Sequence, residues 1–154
     1  MPRARLVWGT ALVAVVVAVA VGVFLVVRPT ADVADPGPSA TPEQVVRAYV
    51  DAVNARDFAT ANRIAGVEHM RYSRFDRAGR FDDLTITGAD RITRASDGSR
   101  SSGDDYAQAW HVRFTARQSG HDISMGPEGT IQWGYVVVRN SGAQPWRIID
   151  AGHA

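Results

Sequence analysis

The chain has 154 residues, 45% of them hydrophobic, and its 17 basic residues stand against 16 acids with no cysteine anywhere. That excludes disulfides, thiolate zinc sites, iron–sulfur clusters and cysteine nucleophiles. From Thr41 onward fourteen arginines face fourteen acids, which is not the basic excess of a nucleic-acid binder, so no nucleic-acid partner is expected.

Residues 6–27, "LVWGTALVAVVVAVAVGVFLVV", carry no charge over 22 positions. A helix of that length is about 33 Å long, close to the ~30 Å hydrocarbon core of a bilayer. Trp8 lies near one end, where indoles anchor at headgroups. Arg3 and Arg5 precede the run, whereas Asp32 and Asp35 follow Arg28. The positive-inside bias therefore predicts a cytoplasmic tail at 1–5, one membrane span at 6–27 and everything later outside the cell membrane. The apolar run exceeds the ~7–15 residues of a signal-peptide core, and the small-residue stretch Ala18-Val19-Ala20 falls inside it, so an uncleaved anchor is expected.

Residues 28–40, "RPTADVADPGPSA", read as a Pro-rich linker. Extended at ~3.1 Å per residue, they would hold the 41–154 domain as much as ~40 Å from the bilayer. A strong helix start follows. Thr41 can cap, Pro42 suits the first helical position and Gln44 completes a capping box. Val45, Val46, Tyr49, Val50 and Val53 then share one face, with Glu43, Arg47, Asp51 and Asn54 opposite, and Arg47 within pairing distance of Asp51. Asp57 can cap a second helix carrying Phe58, Ala61, Ile64 and Ala65, with Gly66 as its stop. "VEHMRYSRFDRAGRFDDL" predicts a short helix or an irregular stretch.

Four β-rich runs come next, at 84–95, 106–118, 129–140 and 145–152, separated by Gly, Ser, Asn and Asp clusters. In the second, Tyr106, Trp110, Val112, Phe114 and Ala116 are expected on one face. Ala107, Ala109, His111, Arg113, Thr115 and Arg117 fall on the other. Helices first and a meander afterwards predict an α+β domain with its helices on one face of an antiparallel sheet.

"TPEQVVRAYVDAVNARDFATANRIA" followed by four strands, the last reading "PWRIIDAG", resembles the nuclear transport factor 2-like (cystatin-like) superfamily over residues 41–152. The resemblance implies a cone of two to three helices packed on a curved sheet of about four strands, with an apolar interior. On that reading Tyr49, Trp110, Trp133, Tyr135 and Asp150 are the candidate lining residues. It also implies two alternatives to a docking role. One is a small-molecule-binding cone. The other is an enzyme similar to ketosteroid isomerases or SnoaL-like cyclases, which use a carboxylate base and a tyrosine or acid donor; no residue set here matches theirs, and no catalytic residue is assigned.

Arg71, Arg74, Arg77 and Arg80 recur every three residues among Tyr72, Phe75 and Phe81. They are a candidate contact for anionic headgroups or an acidic partner, weighed against pairing in solvent with Asp76, Asp82 and Asp83. His69, His111, His121 and His153 are scattered, so neither a metal nor a cofactor is expected. The layout of short tail, single span and outer domain is similar to VirB-type and TcpC-type assembly factors of secretion and conjugation machines. It is similar too to small membrane-anchored proteins of actinobacteria. The expected role is a non-enzymatic, extracytoplasmic protein-interaction module with an envelope protein partner, and a homodimer through the sheet face is the self-associating form of the same idea.

Overall fold

A computed structural model describes residues 31–73, 78–93, 100–120 and 128–153. It is an α+β arrangement: helix α1 (Pro42–Asn54), helix α2 (Phe58–Ile64), a 3-10 turn (Glu68–Met70), and strands β1 (Arg80–Arg91), β2 (Gln108–Ser119), β3 (Gly129–Arg139) and β4 (Arg147–His153). The strands form one antiparallel sheet in the order β1-β2-β3-β4. Among the described residues no helix is long and apolar enough to cross a membrane; the expected tail and span at 1–27 lie outside them.

The helix signals act as the side-chain chemistry predicts. Thr41 accepts from the Gln44 amide, and the Gln44 side chain accepts in return from the Thr41 amide, closing the capping box ahead of Pro42. Asp57 caps α2 by accepting from the Thr60 amide at 3.1 Å. Val45, Val46, Tyr49, Val50 and Val53 are buried together against the sheet. Two polar positions of α1 reach β1: Arg47 stays exposed, as expected, while Asn54 is half-buried against the strand. Asn54 donates to the Phe81 carbonyl at 2.7 Å and accepts from the Phe81 amide at 2.8 Å. Arg47 reaches the Leu84 carbonyl at 3.5 Å rather than pairing with Asp51.

Strand β1 begins at Arg80, four residues before the expected start, and is irregular, with register shifts between Asp82 and Thr85 and between Ile86 and Gly88. Such bulges disrupt the alternation that would mark a strand in sequence. The helix-packed face of the sheet carries Val112, Phe114, Ala116, Tyr135, Val137 and Ile148. A smaller cluster of Ala109, Val138 and Ile149, joined by Val67, Ile92, Tyr106 and Val136, covers one end of the opposite face. Tyr106 therefore packs opposite Trp110 rather than beside it. Strand β2 starts only at Gln108, so the alternation does not reach back to Tyr106.

Gly66 does not stop α2 through a left-handed turn. The helix ends at Ile64, and the chain passes along β4 through a parallel bridge between Ala65 and Ile148. The Gly66 amide donates to the Ile148 carbonyl at 2.7 Å. A Cβ on Gly66 would lie 2.9 Å from the Arg147 Cβ and 3.3 Å from the Ile148 carbonyl oxygen. Glycine is needed there for close approach.

The stretch 31–40 is not a free spacer. The Val33 amide donates to Asp57 Oδ2 at 3.1 Å, and the Thr60 hydroxyl donates to the Val33 carbonyl at 3.4 Å. Asp35 pairs with Arg63 at 2.9 Å. Arg139 Nη1 donates to the Pro38 carbonyl at 2.8 Å, and Trp146 Nε1 donates to the Ala40 carbonyl at 2.9 Å. Val33 and Ala40 also pack on the main core. The segment is a strap laid antiparallel to α1.

Candidate functional site

Among the described residues, two regions that combine polar chemistry with partial enclosure lie on opposite faces of the sheet. The first is under α1. The ring of Tyr49 meets that of Tyr135 edge-on at 5.4 Å between centroids, and Tyr135 stacks on Phe114 at 5.4 Å. The Tyr49 hydroxyl donates to the Met70 carbonyl at 3.2 Å. Tyr72, whose ring stacks on Phe58 at 5.2 Å, brings a third hydroxyl to the same place.

Burial pushes the Tyr49 hydroxyl far above the ordinary tyrosine range, and the adjacent hydroxyls of Tyr135 and Tyr72 add to the shift. Tyr135 is raised chiefly by burial and then by Tyr72. An ionised phenol here would lose its water with no cation to replace it. Both hydroxyls are therefore locked as neutral groups, able to donate or accept a hydrogen bond but not to act as bases.

Of the candidate lining residues, Tyr49 and Tyr135 are buried in this cluster. Trp110 and Trp133 lie on the same face of the sheet, partly buried at the margin of the core. Asp150 is on the other face. It pairs with Val136, which pairs with His111, and both face away from the strand neighbours Tyr135 and Val137. The Asp150 carboxylate accepts from the following amide of Ala151 at 2.8 Å. The carboxylate and imidazole that might have served the tyrosines are thus separated from them by the sheet.

The outer face is flattened by two side chains lying over glycines. His111 covers Gly134, where a Cβ would fall against its ring, and Arg113 covers Gly88 while pairing with Asp90. Of the arginine series, Arg71 is exposed and Arg80 pairs with Asp82 at 2.7 Å, which is the solvated arrangement for that position. Arg74 and Arg77 lie outside the described residues, as does His121. His69 is exposed on the 3-10 turn. Among the described residues no three His, Asp or Glu side chains come together so that they could hold a metal ion.

The second region is a groove of about 300 Å³ at the β3–β4 end of the outer face. Val138 and Ile149 form its floor, Tyr106 one wall, and Asn140, Gln144 and Arg147 its polar rim. Arg139 also lines the groove and is held in place. Its guanidinium stacks 4.0 Å above the Trp146 ring, and its Nε donates to Gln108 Oε1 at 2.8 Å. Arg147 donates from Nη1 to the Trp146 carbonyl at 3.0 Å, a single bond to a group with five donor hydrogens. An apolar floor with a guanidinium and two amides at the rim suits an apolar side chain flanked by a carboxylate or backbone carbonyls. Sequence reading missed the groove because its lining comes from four separate segments, around Gly66, Tyr106, Val138 and Ile149.

Comparison with models of protein families, with curated proteins and with solved structures gave no match for this chain.

Proposed function

We propose that this is a single-pass membrane protein whose outer domain, a nuclear transport factor 2-like cone, docks onto other envelope proteins and performs no catalysis. The observation that carries the reading is the placement of the groove. The helix-packed face is occupied by the chain's own α1, with Val112, Phe114, Val137 and Ile148 each 0% exposed. Among the described residues, an open groove of mixed polar and apolar lining lies on the opposite face, between Tyr106, Val138, Ile149 and the rim of Asn140, Gln144 and Arg147. An isomerase-like mechanism would need a base beside the tyrosines, and Asp150 and His111 are across the sheet from them.

The anchor reading is supported by the uncharged run at 6–27, the cone by two helices on one face of a bulged four-stranded meander. The test is a photo-reactive side chain placed at Gln144 on the groove rim or at Thr85 on the far part of the outer face, introduced into the full chain in native membranes. A discrete cross-linked partner from Gln144, absent from Thr85 and lost when Val138→Arg blocks the floor, is the expected result. Adducts independent of position, or substrate turnover by the purified protein, would overturn it. A cross-linked species of twice the chain's own mass identifies the partner as a second copy.

A further inference from the structure

Val33 is tied to Asp57 and Thr60 at the C-terminal end of α1, and Ala40 is tied to Trp146 at its N-terminal end. Helix α1 has 13 residues, so these two ends lie about 20 Å apart. The groove, bounded by Tyr106, Asn140, Gln144 and Arg147, belongs to the second end, because Arg139 at the end of β3 and Trp146 just before β4 hold Pro38 and Ala40. The α1–α2 turn and the first turn of α2 belong to the first.

Only residues 28–32 remain between the expected span and the docked strap. Five residues reach about 17 Å when fully extended. A domain of this length is roughly 35 Å across. A tether shorter than the body it holds cannot let the body turn over. Had 28–40 been free, a reach of ~40 Å would have allowed any orientation.

We propose that the docked strap fixes the domain in one orientation, with the α1–α2 turn against the bilayer surface and the Tyr106–Val138–Ile149 groove pointing away from it toward a protein partner. This rests on the reading of 6–27 as a membrane anchor and adds to it a membrane-facing and a partner-facing end. Val33 contributes an amide and an apolar side chain to the latch, and Asp35 an ion pair.

The absence of cysteine makes the test direct. Single labels are placed at Ala59→Cys, in the first turn of α2, or Ser141→Cys, in the β3–β4 turn, both exposed sites. The full chain is reconstituted into phosphatidylcholine–phosphatidylglycerol vesicles containing a headgroup spin-labelled lipid, whose quenching acts at short range. Quenching at position 59 several-fold stronger than at 141 is expected. The double substitution Val33→Pro, which removes the amide donor as well as the side chain, with Asp35→Ala should bring the two values together while leaving the circular dichroism spectrum unchanged. Equal quenching in the otherwise native chain, or stronger quenching at 141, overturns the fixed orientation while leaving the anchor intact. A chain that does not float with the vesicles overturns the anchor, and the orientation with it.

Discussion

Two asparagines hold the helices to the rest of the fold. Asn54 grips the backbone of Phe81, and Asn62 grips that of Tyr72, donating to its carbonyl and accepting from its amide, each at 2.7 Å. Each amide side chain supplies the donor and acceptor that a β-ladder neighbour would otherwise provide. Asn54→Ala leaves the part-buried amide and carbonyl of Phe81 unpaired, which costs roughly 1–3 kcal/mol for each group left so, and Asn62→Ala removes both bonds to the Tyr72 backbone. Urea unfolding should show a lowered midpoint for either variant, with a smaller loss for Asn→Asp, which keeps the acceptor. Asp57 ties the residue scale to pH. Burial would raise its carboxyl, but hydrogen bonds from the Thr60 side chain and amide and from the Val33 amide outweigh burial, and Arg63 adds attraction, so it lies below the usual carboxylate range. A folded pKa below the unfolded ~3.9 adds stability above that pH and loses it as pH falls through the folded value. The native chain should therefore lose more stability between neutral pH and strong acid than Asp57→Asn does. Equal losses measured by denaturant unfolding across that range would remove Asp57 from the acid response.

At the scale of elements, the helices follow local chemistry and the connections do not. The run α1–turn–α2 was legible because Thr41, Pro42, Gln44 and Asp57 act within three residues of themselves. Strand β1 was misplaced at its start because Arg80, Phe81, Asp82 and Asp83 do not alternate, and Asp83 takes a left-handed φ of 57°. What makes that stretch a strand is Asn54 and the partner β2, both far away in sequence. Gly66 carries the same lesson: its role is set by β4, more than eighty residues later. Gly66→Ala should push the chain off β4 and weaken the bond to the Ile148 carbonyl, lowering the thermal midpoint. Since the clash is with a Cβ and a carbonyl oxygen rather than a flexible side-chain tip, the loss should be on the order of 1–3 kcal/mol. An unchanged midpoint would mean that this crossing has slack.

At the scale of the whole molecule, the strap makes 31–40 part of the folded body. Composition marked it as a spacer, since Pro36, Gly37 and Pro38 favour neither helix nor strand, and composition was right about that. The partners that hold it, Asp57, Arg63, Arg139 and Trp146, lie 24 to 106 positions away along the chain. Limited digestion of the full chain with a protease of broad specificity should make its earliest cut on this side of the domain before Val33, read by mass spectrometry of the fragments. First cuts between Asp35 and Ala40 would show a strap that spends much of its time undocked.

The sequence by itself determined the two helices with their caps, the α+β class and the burial of Val45, Val46, Tyr49, Phe114 and Tyr135, because capping and hydrophobic periodicity act over one or two turns of chain. Which face Asp150 and Tyr106 occupy, where the groove opens and what the linker rests on were decided only by the tertiary structure. A register shift in β4, a strand start two residues after Tyr106 and hydrogen bonds spanning up to 106 positions are properties of chain segments meeting in space. No window of local sequence contains both partners.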